Sequence, residues 1–119
     1  MARKCKKLLW SEPEDSEKYT VAVAQSIHSI IRINDALVAK FLNKIVEKHD
    51  DAPELFLEII RRNAIPAKFA DFRNTVINPA VKLKSKVDYK GYYSSKSDAE
   101  RWIRNAQKFL DAAKECLNC

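Results

Sequence analysis

The sequence predicts an all-α protein, a four- to five-helix up-and-down bundle built as one domain over residues 1–119. Three observations carry that expectation. Glycine occurs once in 119 residues, and β-hairpin turns and phosphate-cradling loops depend on it. Alanine, leucine, isoleucine, lysine and glutamate, which favour helix, dominate the composition. Apolar residues recur at three- and four-residue spacing through long stretches without a breaker. A chain of this length buries roughly two thirds of its unfolded surface without disulfides or metals.

Residues 2–10, within the opening segment 1–12, are read as a short first helix or an arm. Ser11-Glu12-Pro13-Glu14 has the pattern of a capping box, with serine at the cap and proline in the first turn. The helix it opens is predicted over residues 13–47, since no glycine or proline follows until Pro53. Val23, Ile27, Ile30, Val38, Phe41 and Ile45 mark its apolar face. That face is broad, so the helix is expected to run through the centre of the bundle.

Asp50-Asp51-Ala52-Pro53-Glu54 restarts the chain as a helix with an aspartate cap and acidic residues facing the positive end of the dipole. Leu55, Ile59 and Ile60 give it an inward face, and Asn63 to Pro66 end it. The next helix is predicted to start near Pro66 and to break or kink at Asn78-Pro79, because proline lacks an amide hydrogen and crowds the preceding turn. Gly91 is placed as its C-cap. Ser97-Asp98-Ala99-Glu100 is read as a second capping box, opening a helix whose stripe includes Trp102, Phe109 and Leu110. That stripe is expected to be core or a dimer seam.

The net charge is +6 with a pI near 9.3, a surplus that suits an anionic partner. It is unevenly spread. Residues 12–17 and 47–58 are acidic, whereas residues 82–104 hold seven lysines and arginines against three acids. The stretch DFRNTVINPAVKLKSKVDYKGYY, residues 71–93, also contains three of the four tyrosines. Lys82, Lys84, Lys86 and Lys90 with Tyr89 and Tyr92 combine charge for phosphates with rings for stacking. They are the candidate nucleotide- or RNA-binding residues; the alternative is a solvated lysine face with the tyrosines closing a loop onto the core.

Candidate chemistry is sparse. The three cysteines are odd in number, and no signal peptide or long apolar run is present. A cytoplasmic, reduced protein with no membrane segment is therefore expected. Cys116 and Cys119 have C-x-x-C spacing, but only Cys5 and two distant histidines could complete a zinc site. We expect a frayed thiol-bearing terminus there, no metal and no cofactor. His28 and Asp35 lie seven residues apart, two turns along one helix face, so they could share a groove with Lys84 or Lys86. An interhelical hydrogen bond or ion pair is the plainer role for Asp35. His49, beside a helix start, is read as capping or loop structure rather than as a catalyst.

With the helices placed, the chain resembles the HEPN (higher eukaryotes and prokaryotes nucleotide-binding) superfamily over about residues 20–117. SIHSIIRINDAL (26–37) is similar to that family's long helix, and KHDDAPELF (48–56) to its connection into the next one. Residues 84–117 resemble its closing pattern of a lysine, a tyrosine, a loop and a serine-capped helix. The resemblance implies a homodimer that contacts RNA or a nucleotide, or a nucleotidyltransferase-type protein partner. Several members of the family are metal-independent RNases of toxin–antitoxin pairs, which carry an arginine, then four to six intervening residues, then a histidine. That spacing puts an acid–base imidazole and a phosphate-holding guanidinium on one side of a helix.

This chain departs from the motif. Arg32 stands 17 residues before His49, and the nearest imitation is Arg73-Asn74-Thr75-Val76-Ile77-Asn78. Asparagine does not exchange protons near neutral pH, so the expectation leans away from an enzyme. An RNase with a rebuilt site, drawing on His28, Asp35 or Arg73, is one alternative. A pure protein-interaction module is the other.

Overall fold

The computed structural model describes residues 12–88 and 92–117. Among these there are four α-helices and no strand: α1 (Glu12–Leu42), α2 (Ala52–Arg61), α3 (Asn78–Val87) and α4 (Lys96–Leu117). The all-α bundle expected from the sequence is the fold. Residues 1–11, with the arm and Ser11 of the first capping box, lie outside the described residues, as do Tyr89, Lys90 and Gly91.

Helix α1 is the spine, and the other three helices all pack on it. Val23, Ile27, Ile30, Leu37 and Val38 are buried along its apolar face. It ends at Leu42 rather than at residue 47. Asn43 turns into the left-handed region (φ 54°), which asparagine tolerates better than most residues. Ile45, assigned to the apolar face on helical spacing, consequently lies exposed.

Residues 49–51 make one 3₁₀ turn before α2. Asp51 occupies the N-cap of α2, but its side chain makes no capping hydrogen bond, contrary to the aspartate cap read from the sequence. Pro53 in the first turn and Glu54 against the dipole remain as the start signals. At the far end Asn63 N–H donates to Ile60 O (2.9 Å) and Ala64 N–H to Ile59 O (3.2 Å). These are the two bonds of a Schellman motif, with Asn63 in the left-handed position (φ 58°).

The helix predicted from Pro66 is broken into pieces. A 3₁₀ turn covers Ala67–Phe69, a π-helical turn covers Arg73–Ile77, and α3 begins only at Asn78. The wide turn takes up the crowding that Pro79 would impose on a continuous α-helix. Ile77 and Asn78 keep right-handed helical dihedrals, so in place of the expected break at Asn78-Pro79 one turn is widened and the helix runs on. Phe72, brought down by this segment, packs against Phe109 of α4 with centroids 5.3 Å apart. Phe109 in turn meets Phe56 of α2 edge-on at 6.1 Å.

Helix α4 starts one residue before Ser97, and its capping box is Ser95 with Asp98. Asp98 N–H donates to Ser95 Oγ (3.1 Å) and Ser95 N–H to Asp98 Oδ2 (3.4 Å). Ser94 N–H donates to Thr20 Oγ1 at one end of α1, and Lys40 Nζ donates to Leu117 O at the other. α1 and α4 therefore run in the same sense. Trp102 and Phe109 are core, and Cys116 is buried in the last turn of α4. Cys119, the other thiol of the terminus expected to fray, lies outside the described residues.

Candidate functional site

The polar chemistry of the described residues gathers on the face where α3 crosses α1. His28, Arg32 and Asp35 follow one another at i, i+4 and i+7 on α1, which puts them on one side of the helix. Together with Ile31, His49 and Lys84 they line a hollow of about 370 Å³. An adjoining hollow of about 530 Å³ is lined by His49, Asp50, Val81, Lys84, Ser85 and Asp88. His49 and Lys84 belong to both, so the two form one open groove.

Asp88, at the C-cap of α3, joins the two helices electrostatically. Its Oδ1 lies 3.2 Å from His28 Nε2, and its Oδ2 accepts from Lys84 Nζ at 3.1 Å. The hydrogen bond from Lys84, assisted by the charges of Lys84 and His28, holds the Asp88 carboxyl below the usual carboxylate range. Asp35 behaves oppositely. Partial burial pushes its carboxyl up, and the nearby His49 and Arg32 only partly offset that. Asp35 Oδ1 is buried and has no hydrogen-bond partner among the described residues.

The connection after α1 explains how His49 reaches this face. Asn34, fully buried in α1, donates from Nδ2 to the carbonyl of Ala52, the first residue of α2, over 3.3 Å. The chain must therefore double back along α1 between residues 43 and 51, carrying His49 to the level of Asp35. Arg32 and His49, far from the family spacing in sequence, are neighbours in space.

Of the residues nominated from sequence, His28, Asp35 and Lys84 share the groove. Lys82 and Lys86 do not line it. Four residues apart on α3, they point to one side while Lys84 points nearly the opposite way. The basic stretch is thus divided over two sides of its helix. Tyr92 is half-buried against the core cluster, and Tyr93 is exposed. Arg73 is elsewhere: it is bonded to Glu54 of α2 and to Asn74, with its Nε buried and unpartnered among the described residues. Its job in the fold is to tie the π-turn to α2.

Arg32, His49 and Asp88 were not singled out as site residues. Arg32 and His28 at i, i+4 were a readable signal, but nothing local announces that residue 49 returns to residue 35. No group of three or more His, Cys, Asp or Glu among the described residues could hold a metal ion, and no helix there is long and apolar enough to cross a membrane. A third hollow, about 280 Å³ between α1 and α4, is lined by Ala22, Ser26, Ser29, Ile33, Ala106 and other uncharged residues. It offers no titratable group for chemistry. The chain was compared with protein-family models, with curated proteins and with solved structures, and none matches it.

Proposed function

We propose that the protein is a HEPN-like bundle that binds RNA or a nucleotide by its phosphate, in the groove between α1 and α3. The observation that carries this reading is the convergence of Arg32 and Lys84 with two imidazoles, His28 and His49, on one open face. A guanidinium supplies paired donors to phosphate, a lysine supplies a mobile point charge, and each imidazole adds a donor when protonated. Labelled single-stranded RNA and nucleotides, titrated at low salt, test it. Arg32→Glu and Lys84→Glu should each weaken binding by roughly tenfold or more, while Lys86→Glu should have a small effect. Binding unchanged by the first two substitutions would refute the placement.

A second reading is favoured by the pairing of two histidines in one groove. One imidazole would take the proton of a ribose 2′-hydroxyl as it attacks phosphorus, and the other would protonate the departing 5′-oxygen. Cleavage lost in both His28→Ala and His49→Ala, with ends carrying a 2′,3′-cyclic phosphate, would establish it; RNA intact after long incubation would remove it.

The homodimer belongs to the same proposal. Ile103, 50% exposed, lines the uncharged hollow between α1 and α4, and Val21, 52% exposed, directly precedes its lining residue Ala22. A projecting apolar side chain beside a hollow on one face is what a two-fold, self-complementary contact uses. A nucleotidyltransferase-type protein partner would compete for that face.

A further inference from the structure

The contact between Asp88, His28 and Lys84 does more than join two helices. A carboxylate at the C-terminal end of a helix faces the negative end of the dipole. Lysine placed four residues before an acid is also the weaker order of a helical ion pair. The dipole of α3 therefore disfavours Asp88 where it stands, and the helix's own Lys84 offsets that only in part. What holds it is its bidentate position, one oxygen 3.2 Å from His28 Nε2 and the other 3.1 Å from Lys84 Nζ. Two oxygens of one anion bridging an imidazole and an ammonium is the arrangement a phosphate would adopt in the same groove.

We infer that Asp88 is a built-in competitor which occupies the phosphate position in the free protein and lowers the groove's affinity for every phosphate that enters it. The inference rests on the reading that this groove binds phosphate. A ligand must displace the carboxylate from His28 and Lys84. Breaking both contacts costs the same whichever phosphate enters, so the cost weakens phosphodiester and monoester alike. A phosphate monoester, with a second ionisation near pH 6, carries about two charges at neutral pH. It therefore binds tighter than a diester with or without Asp88, and either ligand sends the carboxylate into solvent; Asp88 is already exposed and needs no repacking to move. The other charged groups on this face are Arg32 and Asp35 from α1 and His49 and Asp50 from the connection. A nucleoside monophosphate and a 5′-phosphorylated RNA end present the same chemistry.

Isothermal titration at pH 7.5 and low salt distinguishes the outcomes. The probes are adenosine 5′-monophosphate, adenosine 3′,5′-cyclic monophosphate, and one oligoribonucleotide with either a 5′-phosphate or a 5′-hydroxyl. Asp88→Asn should strengthen the binding of monoester and diester alike by roughly tenfold and leave the ratio between them unchanged. A response to the mononucleotide alone assigns a free nucleotide; a response to the phosphorylated oligonucleotide assigns an RNA end. Asp88→Asn that weakens or does not alter binding of the monoester and the diester overturns the inference and leaves phosphate binding standing. If no probe binds either protein, both fall.

Discussion

Asn34 Nδ2 donates to the main-chain carbonyl of Ala52 from a position with no solvent exposure. This bond pins the start of α2 to the middle of α1, and the groove depends on it because His49 lies three residues before Ala52. Asn34→Ala would leave the Ala52 carbonyl without this partner in the core. Loss of about 1–3 kcal/mol is expected, read as a lower urea midpoint, together with a shift of the His49 ring resonances in the folded protein. An unmoved His49 signal would show that the 3₁₀ turn holds its place without Asn34.

Asp35 gives a pH dependence with a defined sign. Its carboxyl is raised from the ordinary 3.8, mainly by burial. Between the ordinary and raised values the folded protein holds more protons than the unfolded chain, so stability falls as pH rises through that window. Asp35→Asn removes the penalty. The variant should melt above the native protein at pH 7, and the difference should shrink as the pH is lowered toward the ordinary carboxylate range. A melting temperature lower than native at pH 7 would mean that the charged form is held by contacts stronger than its burial cost.

The beginning of α4 offers a comparison of two nearby serines. Ser95 Oγ accepts from Asp98 N–H at 3.1 Å, whereas Ser97 lies inside the first turn and is exposed. Ser95→Ala should cost about 1 kcal/mol, and Ser97→Ala should change stability by less than about 0.5 kcal/mol. Thermal melts of the two variants side by side decide which serine is the cap.

Phe109 is the joint between α4, α2 and the π-turn segment, touching both Phe56 and Phe72. Phe109→Ala should destabilise the fold by about 3–5 kcal/mol, enough to threaten a small domain. Ile103→Glu, on the exposed side of the same helix, should leave the monomer's stability within about 0.5 kcal/mol. If α1 and α4 form the proposed two-fold contact, Ile103→Glu also shifts sedimentation from dimer to monomer.

The secondary structure was legible because its causes are local. Scarce glycine, helical spacing of Val23, Ile27 and Ile30, and Pro53 in a first turn each act over a few residues, and each acts in the fold as read. Boundaries were misread where one residue took an unusual conformation: Asn43 stopped α1 before Ile45, and the π-turn displaced the start of α3 to Asn78. His28 and Asp35 on one face were readable from spacing alone.

The candidate site was decided by tertiary structure. Four lysines close in sequence, Lys82, Lys84, Lys86 and Lys90, suggest one surface, yet helical geometry sends Lys84 one way and Lys82 and Lys86 the other. Arg32, His49, Lys84 and Asp88 meet because a buried asparagine turns the chain back along α1 and because α3 returns across it. Periodicity within a helix determines which face a side chain takes; only the packing of one helix on another determines what that face meets.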